Sequence, residues 1–284
     1  MATLYLVSTP IGNLGDLTRR ASEILGSADR ILAEDTRRTR GLLSHLGLST
    51  PLTSLHEHNE ASRERQVLSW LAAGEELALV SDAGTPLISD PGSRLVRAVA
   101  EAGHKVVPIP GPSAVLAALV ASGLPPDPFS FFGFAPRKGA ERAEWLDRVG
   151  SALETTVLFE SPERLTRLLG ELVARCGSDR GAVVAREITK IHEEFARGTL
   201  QELRLHFEGQ PPRGEITLVL APAPTAEQSG AVDEAASQAL AEPLLAQGMP
   251  PSQVAREVAR RLKISRNQAY RIVQELSPNP PSTE

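Results

Sequence analysis

Leu4-Tyr5-Leu6-Val7-Ser8-Thr9-Pro10-Ile11-Gly12-Asn13 is a short apolar run broken by a turn of small residues, and the chain repeats the phrase twice. Residues 77–80 run into Ser81-Asp82-Ala83-Gly84-Thr85-Pro86, and residues 106–109 into Pro110-Gly111-Pro112-Ser113. Short continuous apolar runs bounded by turn residues predict buried strands of a largely parallel sheet. Helical patterns at 17–25 and 63–71 lie between them. Alternating strand and helix predicts an α/β sheet with helices on its faces.

Outward from this frame, the composition shifts around 122–129 to Gly-Leu-Pro-Pro-Asp-Pro, which reads as a linker. Strands are expected beyond it at 129–135, 156–159, 182–185 and 216–220, with a helix at 163–174. The Ala/Pro-rich run 221–230 reads as a flexible tether. The segment 250–276 carries Arg256, Arg260, Arg261, Lys263, Arg266 and Arg271 against Glu257 and Glu275. Val254, Val258 and Leu262 share one helical face, and Ala269, Ile272, Val273 and Leu276 another. Ser265 and Gln268 form a capping-box pattern, so the segment reads as a helix-turn-helix joined at Lys263-Ile264-Ser265. The expected organisation is an α/β domain at 1–122, a second at 123–222, a linker and helix at 223–249, and a basic tail at 250–284.

The chain has 284 residues and a net charge of −5, from 30 basic and 35 acidic side chains. That balance excludes a global electrostatic grip on nucleic acid and leaves the work to local patches. Cys176 is the only cysteine, so neither a disulfide framework nor a cysteine-based zinc site forms within one chain. No basic-then-apolar leader is visible, and the longest apolar stretch, 114–121, is too short to span a bilayer. A soluble cytoplasmic protein without a metal is expected.

In open α/β sheets, ligands bind beyond the carboxyl ends of the strands. The three turns lie there, but they carry neither the Gly-x-Gly-x-x-Gly fingerprint nor a Walker loop. They are small, mostly apolar and poor in charge, which suits an adenosine-like ligand bearing a sulfonium better than a pyrophosphate. Any one of them alone is as well explained as a tight connection.

The longer motifs carry a resemblance. Residues 4–18, Ala33-Glu-Asp-Thr-Arg37, Val80-Ser-Asp-Ala-Gly-Thr-Pro-Leu-Ile-Ser-Asp-Pro-Gly92 and Pro110-Gly-Pro-Ser-Ala114 resemble the small-subunit ribosomal RNA methyltransferase I branch of the tetrapyrrole methylase superfamily. So do Phe131-Phe-Gly-Phe-Ala-Pro-Arg137, Phe159-Glu-Ser-Pro-Glu-Arg164, residues 186–194 and Gly214-Glu-Ile-Thr-Leu218. The resemblance runs in unbroken order from Leu4 to Leu220. It implies two α/β domains with S-adenosyl-L-methionine in the cleft between them, and a homodimer. It implies methyl transfer to the ribose 2′-hydroxyl of a cytidine in the decoding region of 16S ribosomal RNA in the small subunit. By position it assigns Pro10, Ala83, Gly84, Thr85, Ile88, Ser113 and Ala114 to the cofactor, with Phe159, Glu160, Gly214 and Thr217 from the second domain.

The chemistry needs an aligned hydroxyl and a proton acceptor. Candidates are Glu34, Asp35, Glu160, Glu187, Glu193 and Glu194, and Lys190 if burial depresses its pKa. Each could equally be a surface or arginine-paired group. Arg37, Arg38 and Arg40, then Arg137 and Lys138, then Arg186 with Lys190, are candidate RNA contacts. His56 and His58 fit a loop role, since further metal ligands are lacking. Trp70 and Trp145 read as packing residues, and Cys176 as inert.

Two rivals remain. A tetrapyrrole C-methylase would leave Arg37–Arg40 and the basic tail with little use. A transcription regulator built on the tail would leave the strand-end turns unexplained.

Overall fold

The computed structural model describes residues 2–224, 234–262 and 266–276. They form two compact units, Met1–Ala221 and Pro222–Glu284.

The first unit holds two five-stranded sheets. The first sheet is built from β1 (Thr3–Val7), β2 (Arg30–Ala33), β3 (Leu52–Ser54), β4 (Leu77–Val80) and β5 (Lys105–Ile109), in the order β3-β2-β4-β1-β5. Every pairing in it is parallel. Its central strands are apolar on both faces, as a sheet covered by helices on both sides requires. One face packs Leu4, Leu32, Leu77 and Leu79 against Val67 and Leu71 of α3 (Glu60–Ala72) and Leu95 and Val99 of α4 (Ser93–Glu101). The other packs Val7, Ile31, Ala33 and Val80 against α1 (Arg19–Ser27) and Leu43 of α2 (Thr36–His45).

The second sheet is mixed. Its strands β6 (Phe129–Phe134), β7 (Thr155–Glu160), β8 (Gly181–Arg186), β9 (Glu194–Thr199) and β10 (Ile216–Leu220) take the order β6-β7-β10-β8-β9. Only β6 and β7 pair in parallel. Leu158, Val184, Leu218 and Leu220 face α6 (Gly139–Ser151), α7 (Pro162–Cys176) and α8 (Leu200–Gly209). The opposite face, with Val157, Val183, Ala185 and Val219, receives Val115, Ala118 and Leu119 of α5 (Ala114–Ser122). The long apolar run of the sequence is therefore the helix between the two sheets; it buries one face on the second sheet and leaves Leu116 and Val120 exposed.

Sequence patterning misses β2, β3 and β9. β3 has three residues, and β9 is Glu-Phe-Ala-Arg-Gly-Thr, a half-polar edge strand with no apolar run. Trp145 is buried and donates its indole N–H to the Phe132 carbonyl, while Trp70 stacks under the Arg30 guanidinium at 4.6 Å. Cys176 is the last residue of α7 and is half-buried. His56 and His58 lie in the turn after β3, with ring centroids 6.1 Å apart.

The second unit is a three-helix cluster. α9 (Glu234–Ala246), α10 (Pro251–Leu262) and α11 (Arg266–Leu276) bury Ala241, Val254, Ala255, Val258, Ala269 and Val273 together. Two short helices cannot bury both apolar faces alone, and α9 supplies the missing surface. Residues 225–230 of the expected tether, and the Ser265–Gln268 cap with its Lys263-Ile264-Ser265 joint, lie outside what is described. Among the described residues no helix is long and apolar enough to cross a membrane.

Candidate active site

The site is assembled where the first sheet's strands end. After β1, the backbones of Thr9 and Gly84 exchange both hydrogen bonds at 2.9 Å, tying the β1 and β4 turns together. The Ser8 hydroxyl donates to Thr85 Oγ1 at 3.4 Å, and the Thr85 hydroxyl donates to the Pro112 carbonyl at 3.1 Å. Thus the three turns that the sequence singles out are fastened to one another. Gly111 is required: a Cβ there would stand 2.9 Å from Ser8 Cβ. Ser113 caps α5, its hydroxyl accepting from the Leu116 N–H at 3.4 Å.

Two cavities flank this junction. The larger, about 450 Å³, reaches from the first sheet to the second. It is lined by Ser8, Thr85, Pro86, Ile88, Pro110, Gly111 and Ser113, by Leu6, Pro108 and Ile109, by Val115 and Leu116 of α5, and by Phe129 and Phe131 of β6. Its size suits a small molecule of nucleoside dimensions, for which pockets run roughly 300–1,000 Å³. Its wall is apolar except for three hydroxyls and exposed backbone, and it presents no charged side chain. That wall fits S-adenosyl-L-methionine: apolar surface for the adenine, hydroxyls for its polar edges, no cation opposing the sulfonium. The smaller cavity, about 250 Å³, lies on the far side of Thr9, under α2. It is lined by Thr9, Pro10, Leu14, Arg38, Thr39, Gly41, Leu42, Ser81 and Asp82.

The predicted cofactor residues divide between these places. Thr85, Ile88 and Ser113 line the larger cavity; Pro10 lines the smaller one. Gly84 is bridged to Thr9, and none of Ala83, Gly84 and Ala114 is among the lining residues. From the second sheet, Phe159 sits one ring behind Phe131, at 4.9 Å between centroids. Thr217 is buried within β10, beside Phe159 in register. Gly214 has a φ of +86°, and the Glu187 carboxylate lies over the position a side chain would take. Glu160 does not face the cleft. Strand alternation turns it toward α7, where it is 2% exposed and paired with Arg164 at 3.2 Å. Burial raises its pKa against the pull of the Ser161 N–H and Arg164.

The remaining candidates for proton acceptor sort by their partners. Asp35 caps α2 and is gripped by the Arg37 side chain, which holds its pKa down to about 2. Glu187 bonds Lys190 and its pKa falls accordingly. Glu193 accepts from the Thr189 N–H and Glu194 from Arg186. Lys190 behaves opposite to the expectation. Burial opposes its charge, but Glu187 at 2.8 Å and Glu215 at 3.2 Å outweigh that and raise its pKa. It is an ion-pair member whose stem lies across Gly12. Glu34 is exposed at the end of β2, and partial desolvation with the nearby Asp82 raises its pKa.

Sequence reasoning missed Asp90. Burial, then the charge of Glu34, lifts its pKa to about 6, although Ser81 hydrogen-bonds it. No spacing marks it, because Ser81, Glu34 and Asp82 come from three separate segments. Of the candidate RNA contacts, Arg37, Arg38, Arg40, Arg137 and Lys138 are exposed. Arg186 differs: it is half-buried and doubly bonded to Glu194 across the β8–β9 pair.

Comparison with known proteins follows this geometry. The family of tetrapyrrole (corrin/porphyrin) methylases matches residues 3–204. A ribosomal RNA small subunit methyltransferase I from Synechocystis sp. is 46% identical over 97% of this chain and 99% of its own. The chain belongs to that family. Its Bacillus subtilis relative of the same name is 46% identical over 78% of this chain and 75% of its own. Among solved structures, a cobalt precorrin-4 methyltransferase superposes with a TM-score of 0.59 at 18% identity, covering 77% of this chain and 94% of that one. A Thermus thermophilus uroporphyrin-III C-methyltransferase complexed with S-adenyl homocysteine gives 0.56 at 18%, covering 78% and 97%. These two share the fold; the sequence relatives separate this chain from the tetrapyrrole C-methylase rival.

Proposed function

We propose that the protein transfers a methyl group from S-adenosyl-L-methionine to the ribose 2′-hydroxyl of a cytidine in the decoding region of 16S ribosomal RNA. The observation that carries this reading is the uncharged 450 Å³ cavity at the fastened strand ends, in a chain 46% identical to a ribosomal RNA small subunit methyltransferase I. Thr85, Ile88 and Ser113 hold the cofactor from the first domain (1–122), with Ala83, Gly84 and Ala114 shaping the backbone around them. Phe131, backed by Phe159, closes the cavity from the second domain (123–222). When bound, the sulfonium supplies the methyl group.

The rest is the work of the chain. It must hold the ribose hydroxyl in line, and positioning is the larger part of the acceleration. A base taking the hydroxyl proton adds about 10²–10⁴-fold. Glu34 fits that role best, being raised in pKa, solvent-reachable and not tied up by an arginine at bonding distance. Arg37, Arg38 and Arg40 on α2 and Arg137 and Lys138 after β6 offer cations to the phosphate backbone.

The substrate is the small ribosomal subunit in the cytoplasm, and the enzyme is a homodimer. Exposed apolar side chains such as Val120 and Phe134 are available for the contact between copies. Sedimentation at about twice 30.4 kDa checks the dimer. Incubation with labelled S-adenosyl-L-methionine and small subunits tests the reaction: alkaline digestion should leave one resistant linkage. Label on a base in fully cleaved RNA would overturn it.

A further inference from the structure

The smaller cavity, beside Thr9 and under α2, shares no lining residue with the larger one. Most of its polar groups are already spent. The Thr9 hydroxyl donates to the Ser81 carbonyl, the Ser81 hydroxyl to the Gly84 carbonyl, and the Thr39 hydroxyl to the Asp35 carbonyl. Asp82 Oδ1 accepts from the Asp35 N–H at 2.9 Å. What stays available at the mouth is Asp82 Oδ2 and the guanidinium of Arg38. These form an ion pair at 3.6 Å, too long for a good hydrogen bond, and the Arg38 side chain is 63% exposed. The pair is thus a carboxylate acceptor beside a swinging cationic donor, with the apolar surface of Leu14 exposed next to it.

We infer that this cavity is the acceptor-base subsite, taking an amino-pyrimidine turned out of the RNA strand, with its exocyclic amine on Asp82 and its ring carbonyl on Arg38. The inference rests on the proposed reading that the acceptor is a cytidine. A cytosine edge presents a donor at N4 beside acceptors at N3 and O2, which is the complement of this pair. A uracil would set its O4 acceptor against the Asp82 carboxylate and leave both desolvated without a partner. At about 250 Å³ the cavity is below the size of most small-molecule pockets and suited to a single base. Its position supports the same use. Ser8 lines the larger cavity and Thr9 the smaller, so the two cavities are bordered by consecutive residues of the β1 turn. A base seated here brings its own ribose to the rim shared with the methyl donor. Enzymes that act on a nucleotide commonly turn it out of its stack into such a pocket.

The test is a specificity swap at Asp82. In Asp82→Asn, the side-chain oxygen can still accept from the Asp35 N–H, while an amide donor replaces Oδ2. Methyl transfer is measured on small subunits carrying cytidine or uridine at the acceptor position, with cofactor saturating. The wild type should prefer cytidine by about 5- to 150-fold. Asp82→Asn should flatten or invert that ratio, with S-adenosylhomocysteine affinity held within about twofold of the wild type. Arg38→Met, at an exposed side chain that folding does not need, should weaken the preference and raise KM for the RNA. A cytidine-to-uridine ratio unchanged in both variants overturns the subsite. If Asp82→Asn loses its fold by circular dichroism, the Arg38→Met ratio decides alone. Failure of the underlying reading looks different: the wild type itself would transfer methyl to neither RNA, and the subsite would fall with it.

Discussion

Thr9 and Gly84 are paired through both of their backbone groups, N–H to carbonyl at 2.9 Å in each direction, although they stand 75 positions apart in the sequence. This two-residue bridge joins the β1 and β4 turns. Gly84 holds a φ of +83°, and a Cβ there would meet Ile11 Cγ2 at 3.3 Å. A β-branched residue in that region costs on the order of 1–3 kcal/mol. Gly84→Val should therefore lower the melting temperature and weaken S-adenosylhomocysteine binding by more than tenfold in calorimetric titration. Unchanged binding would separate the bridge from the cofactor site.

Thr85 and Ala114 test the cavity wall itself. Thr85 lines it and also holds the Pro112 carbonyl, so Thr85→Arg both fills the space and breaks the link between turns. Ala114 is the first residue of α5 and is not among the lining residues. Thr85→Arg should abolish cofactor binding at micromolar concentrations, and Ala114→Trp should weaken it far less. Equal loss in both variants would mean that the bound cofactor extends past the cavity described.

Asp90 predicts a pH dependence. Its pKa is raised in the folded state, from the ordinary carboxylate range to about 6. A carboxyl raised on folding binds its proton more tightly in the native state. Its favourable contribution is complete below about pH 4 and is lost as pH rises through about 6. At pH 8 the ionised group destabilises the fold by about 1 kcal/mol once solvent screening is allowed for. Asp90→Asn should raise stability to urea at pH 8 and change it little at pH 4.5. The same gain at both pH values would show that titration is not the cause.

The C-terminal unit predicts a separable contribution. Its apolar positions Val254, Val258 and Val273 are buried within its own three helices. Arg260 and Arg261 are exposed and share Glu257, whose pKa they hold at about 2. Truncation after Ala221 should leave cofactor affinity intact and weaken RNA binding. The loss should shrink as salt rises, because counterion release drives such contacts. An RNA affinity unchanged by truncation from low to moderate salt would exclude the role.

Glu34 completes the set. Glu34→Gln should cut kcat by about 10²–10⁴-fold while leaving cofactor affinity in place. A variant with full turnover would remove Glu34 as the proton acceptor and return the search to Asp90.

The sequence by itself determined the β1, β4 and β5 strands and their turns, because a buried parallel strand is a contiguous apolar run and a strand-end turn is spelled in small residues and proline. That Thr85, Ile88 and Ser113 stand together at the strand ends was legible for that reason. So was the family, since its motifs are local strings such as Glu34-Asp-Thr-Arg37. What only the tertiary structure decided depends on which segments meet. Glu160 and Phe159 are neighbours in the chain, yet strand alternation sends one to α7 and the other toward the cleft. Lys190 could not be read as an ion-paired cation, because Glu215 reaches it from 25 residues away. Asp90 owes its raised pKa to burial and to Glu34, 56 residues earlier in the chain. The fastening of the β1 turn to the β4 turn rests on the hydrogen bonds between Thr9 and Gly84. Those are backbone groups, which every residue carries, so no choice of side chain announces them.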